Sequence, residues 1–68
     1  MNQPQRAVPH FAASAALQPK VAAAQFNLGT ALTMAGRLDE GASAFAAALT
    51  LRPNYPQARN NLGRVRLE

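Results

Sequence analysis

Cysteine and tryptophan are absent from this chain of 68 residues, which holds one histidine, one tyrosine and three phenylalanines. Without cysteine there is no disulfide and no thiolate metal site. His10 alone cannot make a zinc site, so no cofactor is expected. It also has no serine, cysteine or carboxylate pattern around it from which to build a triad, and it reads as a surface side chain. Acids are scarce: Asp39, Glu40 and Glu68. The adjacent pair Asp39 and Glu40 points in two directions on a helix. It therefore reads as capping a helix, with Asp39 placed to cap the N-terminus or to face its positive dipole, and not as an acid–base pair. A non-catalytic chain is expected. No run of 18 apolar residues occurs, which leaves no transmembrane helix. Arg6, the apolar residues after it and Ala13-Ser14-Ala15 outline a signal peptide, but Pro9 and His10 interrupt it. Lack of cysteine suits any compartment, and the cytoplasm is the default expectation.

What is present is alanine and a surplus of basic charge. Seven Lys and Arg against three acids give a net charge of +4. The bases are spread along the chain as Arg6, Lys20, Arg37, Arg52, Arg59, Arg64 and Arg66. Only the last three fall close together on one predicted helix. The aromatics do not interleave with them as stacking platforms would. This argues for a solvated helix face and against a nucleic-acid partner. Hydrophobic residues make up 49% of the chain, and many are alanine, which adds little burial per residue. A domain of this size buries only roughly 60% of its unfolded surface. Self-association or membership of a longer array is the expected remedy.

An internal repeat supplies the register. Asn27-Leu28-Gly29 returns as Asn61-Leu62-Gly63, an offset of 34 residues. At the same offset Phe11-Ala12-Ala13, Leu17 and Pro19 return as Phe45-Ala46-Ala47, Leu51 and Pro53. With Ala24 and Ala58 these make nine identities. An Ala-rich composition would give about four by chance.

Residues 1–6 match nothing in the repeat and read as a disordered or frayed lead-in. Residues 7–17 carry helical spacing, with Ala7, Phe11, Ser14 and Ala15 on one face. Pro9 is tolerated only in a first turn, which sets the helix start near Val8 or Pro9. Gln18-Pro19 ends it. Residues 21–35 form a second helix, with Ala24, Leu28, Ala31, Leu32 and Ala35 as its stripe. Gly29 inside it suits a close helix crossing, and Gly36 suits the left-handed residue after its end. A third helix spans 38–51, with Ala42, Phe45, Ala48 and Leu49 inward and Gly41 as a weak point in its first turn. Asn54 is the expected N-cap of a fourth helix, with Pro56 in its first turn and Ala58, Leu62 and Val65 inward.

The run Asn27-Leu28-Gly29, Ala35-Gly36-Arg37-Leu38-Asp39-Glu40, Phe45, Ala48-Leu49 and Leu51-Arg52-Pro53 resembles the tetratricopeptide repeat, with partial repeats on both sides. The resemblance implies an all-α fold of antiparallel helix–turn–helix units stacked as an α-solenoid. Four helices would follow in the order B-A-B-A. Residues 7–21 would be a partial repeat (helix B), 22–55 a full repeat and 56–68 a partial repeat (helix A). The pattern departs at Gly41 and Ser14, where the family prefers Ala. Gln25, Leu32 and Arg66 also stand where aromatics are frequent. These departures are expected to weaken packing.

The resemblance further implies a scaffold that binds an extended peptide or a partner protein on its concave helix-A face. Phe26, Asn27, Thr30 and Met34 would lie there from one helix A, with Ala23 and Thr33. Gln57, Asn60, Asn61 and Arg64 would lie there from the next, with Leu67. Asn and Gln amides can pair with a peptide backbone, Met34 and Phe26 can give apolar contact, and Arg64 can grip a carboxylate. Alternatively, Asn27 and Asn61 bond locally between helices and hold the stack. Phe26 and Thr30 occupy the places of a carboxylate-clamping pattern, so chaperone-tail binding is not expected. A second alternative rests on Asn60-Asn61-Leu62-Gly63, with Gly36-Arg37-Leu38-Asp39-Glu40 and Arg52-Pro53-Asn54-Tyr55, which resemble arrays of O-linked N-acetylglucosamine transferase-like proteins. The chain would then be the truncated substrate-binding part of a glycosyltransferase. The orphan helices at the two ends also permit a homo-oligomer.

Overall fold

The computed structural model describes residues 4–65. They form four α-helices: α1 (Pro4–Leu17), α2 (Ala22–Met34), α3 (Leu38–Leu51) and α4 (Pro56–Val65). Each helix packs on the next, and α2 also touches α4. The order is the expected B-A-B-A, with α1 and α3 as helices B and α2 and α4 as helices A. The shortest dimension, 17 Å, is that of two helix layers.

The breaks follow local chemistry. α2 ends at Met34 with Ala35 as its C-cap, and Gly36 takes φ +84. The Arg37 amide then donates to the Leu32 carbonyl at 2.9 Å, and the Gly36 amide to Thr33 at 3.0 Å. This pair of bonds is the Schellman arrangement, which needs the left-handed residue that glycine supplies. The expected cap by Asp39 does not form: α3 starts at Leu38, so Asp39 stands inside its first turn, and Arg37 precedes the helix with no side-chain cap. Asp39 and Glu40 lie in its first turn, where their charge meets the helix dipole. Arg37 Nη2 donates to Glu40 Oε2 at 2.9 Å and Nε to Oε1, an exposed two-pronged pair. That hydrogen bond holds the Glu40 carboxyl below the usual carboxylate range and the Arg37 guanidinium above its own.

Two starts differ from the sequence-based expectation. α1 begins at Pro4, not near Val8, and Pro9 stands inside it. Pro4 suits a first helical position. Val8 is buried in a cluster with Ala31, Leu32 and Ala44, and that burial holds the turn around Pro9 helical against the loss of one backbone bond. Residues 4–6 of the expected lead-in are thus helical, while 1–3 lie outside the described residues. α4 begins at Pro56, so Tyr55 and not Asn54 is the residue before it, and the Arg59 amide donates to the Tyr55 carbonyl at 3.0 Å.

The core is built largely of small residues in two clusters. One joins Val8, Ala31, Leu32 and Ala44, flanked by Ala7, Phe11, Leu28 and Ala35. The other joins Phe45, Ala48 and Ala58, flanked by Phe26, Leu49, Tyr55, Leu62 and Val65. Phe45, 1% exposed, is its centre. Its ring lies where a Cβ on Gly29 would stand, 2.8 Å from Cδ1 and Cε1. Gly29 is therefore the close crossing its sequence context suggests. Gly41 is a second one, and not the weak point expected. It is buried, and a Cβ there would fall 2.5 Å from Thr33 Oγ1 and 3.2 Å from the Gly29 carbonyl oxygen. Thr33 fills the space that alanine would take in α3.

Candidate functional site

The helix-A side carries a cleft of 390 Å³ between α2 and α4, with Phe45 of α3 at its base. α2 contributes Thr30, Thr33 and Met34, the start of α3 contributes Leu38, and α4 contributes Asn61, Arg64 and Val65. The positions 30, 33 and 34 on α2, and 61, 64 and 65 on α4, share a face because helical neighbours are three and four residues apart. The volume is at the small end for a ligand site.

The lining is mixed, with Met34, Leu38, Phe45 and Val65 apolar and Thr30, Thr33, Asn61 and Arg64 polar. Met34 is 55% exposed and Leu38 42%, so each leaves much of its apolar surface uncovered. Thr30 Oγ1 donates to the Phe26 carbonyl at 3.1 Å, and Thr33 Oγ1 to Gly29 at 2.8 Å. Both hydroxyls have thus committed their proton to α2 and keep only acceptor capacity. The Asn61 amide and the Arg64 guanidinium make no side-chain hydrogen bond or ion pair with the described residues. They are the donors left at the cleft. Nothing among the described residues supplies three metal-ligating side chains in one place.

Of the side chains assigned to the partner face from sequence, Thr30, Met34, Asn61 and Arg64 meet in this cleft, as does Thr33. Asn27, Gln57 and Asn60 are exposed on α2 and α4 outside its lining. Phe26 is half-buried elsewhere. Its ring stacks on Tyr55 at 5.3 Å between centroids and tilts against Phe45 at 5.7 Å. Arg52 adds a cation–π contact, its guanidinium carbon 5.0 Å from the centre of the Tyr55 ring. Phe26 thus joins α2 to the α3–α4 turn. No hydrogen bond joins Asn27 or Asn61 to a neighbouring helix among the described residues, which leaves the local-bonding alternative without its bond. Leu67 lies outside the described residues.

Leu38, Phe45 and Val65 line the cleft, though the sequence assigned none of them to the partner face. Leu38 follows the Gly36-Arg37 turn, and an apolar residue there reads as the start of a core stripe. Its exposure was the one usable signal, and exposure is a property of the folded chain.

No described helix is long and apolar enough to cross a membrane. No curated protein and no solved structure matches the chain. A model of the tetratricopeptide repeat family matches residues 1–56 and again 35–68. The 34-residue period, the paired antiparallel helices and this match over most of the chain agree, and the chain is a member of the tetratricopeptide repeat family.

Proposed function

We propose that this chain is a non-catalytic scaffold that binds a short extended peptide segment in the cleft between α2 and α4. Membership of the family supports a protein partner. One observation carries the finer reading: Met34 and Leu38, both exposed apolar side chains, open into the same cleft as the Asn61 amide and the Arg64 guanidinium. An apolar wall beside two donors suits a segment with one large apolar side chain and a nearby carboxylate. The apolar group covers Met34, Leu38 and Val65. Asn61 pairs with the peptide backbone, offering both donor and acceptor. Arg64 takes the carboxylate, where its planar fork can make two bonds. The net charge of +4 favours an acidic segment at long range.

The test is fluorescence anisotropy against short peptides that fix one leucine or phenylalanine beside an aspartate or glutamate. Binding to the parent chain is expected, weakened by added salt. Arg64→Ala and Met34→Ala should each reduce it about tenfold, the loss of one desolvated hydrogen-bonded or apolar contact. Asn27→Ala, outside the cleft, should leave it unchanged. Binding equally sensitive to Asn27 and indifferent to Arg64 would move the site elsewhere and refute this reading.

A further inference from the structure

The two ends of the helix stack carry complementary halves of one contact. Inside the chain Phe45 of α3 fills the space over Gly29 of α2. Moved by the 34-residue period, Gly29 becomes Gly63 on α4 and Phe45 becomes Phe11 on α1. Gly63 is exposed, and a Cβ there would meet nothing within 4 Å. Phe11 is only half-buried. The neighbours behave alike: Ala48, fully buried, corresponds to half-buried Ser14. Among the described residues, no helix covers α4 as α3 covers α2, and none covers α1 as α2 covers α3.

We propose that a second copy of this chain fills both places. α1 of one copy docks on α4 of another, with Phe11 over Gly63, by the geometry that α3 and α2 already use. The repeat itself argues for this occupant, because the new contact continues an interface the chain already makes. Two different faces meet, so copies add head to tail and do not close as a two-fold dimer. Asn60 stands where Phe26 would, and Val21 where Tyr55 would. The contact between copies therefore lacks the aromatic stack and is weaker than the internal one. Each copy carries +4, so added salt strengthens the association. Salt has the opposite effect on the peptide binding proposed for the cleft.

Sedimentation equilibrium of the 68-residue chain over about a hundredfold range of concentration tests this. The average mass should rise with concentration and pass beyond that of a dimer. Gly63→Ala should raise the melting temperature of the dilute monomer, because alanine is the better helix former and the space around it is open. The same change should weaken association about tenfold or more, because the new methyl overpacks against Phe11 of the second copy. Two end-blocked variants establish direction. Gly63→Leu spoils the α4 end and Ser14→Arg the α1 end. Each alone should stay monomeric, and an equal mixture should give a one-to-one complex. A parent chain that is monomeric at every concentration would overturn the proposal and leave the two faces to helices of other sequence. So would Gly63→Ala associating as tightly as the parent, or a mixture of blocked variants that forms no complex.

Discussion

Gly29 and Gly63 occupy one repeat position in two environments, which allows a clean measure of the α2–α3 crossing. Replacing either with alanine improves helix propensity by up to about 1 kcal/mol. At Gly63 the new methyl meets nothing. At Gly29 it would lie 2.8 Å from two ring carbons of Phe45 and 3.1 Å from a third. Phe45 is 1% exposed, so its ring cannot turn aside without moving its cluster. Overpacking of this kind costs about 1–3 kcal/mol. The propensity gain largely cancels between the two variants, so their difference isolates that cost. For a chain of this size 1 kcal/mol moves the midpoint by about 4–8 °C. Gly29→Ala should therefore melt about 4–24 °C below Gly63→Ala, followed by circular dichroism at low concentration to suppress association. Adding Phe45→Leu to Gly29→Ala should cost less than Phe45→Leu costs the parent, since the methyl fills space the ring vacates. Equal melting of the two alanine variants would refute the reading that Phe45 closes on Gly29.

Three further outcomes are expected. Gly41→Ala should destabilise by about 1–2 kcal/mol through the clash with Thr33, and Thr33→Ala in the same chain should recover part of that loss, read from urea midpoints. Pro9→Ala restores a backbone donor on an exposed part of α1 and should stabilise by about 1–3 kcal/mol; a lower midpoint would mean that α1 is not continuous through residue 9. The Glu40 carboxyl is held low by Arg37, so its contribution is present above its unfolded value of about 4.3 and is lost as pH falls through the lower folded value. Thermal melts from pH 6 down to pH 3 should fall more steeply for the parent than for Glu40→Gln.

What the sequence alone determined was local or periodic. The 34-residue period carried the fold, Pro19, Gly36 and Pro53 marked where helices stop, and Gly29 pointed to a close crossing. These rest on interactions within about one helical turn, where residue type and spacing suffice. The tertiary structure alone decided the rest. Whether residues 4–8 are helical depended on burying Val8 against α2 and α3. Whether Gly41 weakens or fits α3 depended on Thr33, on another helix. Phe26 stacks on Tyr55 only because the α3–α4 turn brings that ring against α2. The cleft became visible only when α2 and α4 stood side by side above Phe45, bringing Met34, Leu38, Asn61 and Arg64 together from three helices. Each of these outcomes is a contact between residues distant in sequence, and no pattern along one helix encodes how far apart two helices will sit.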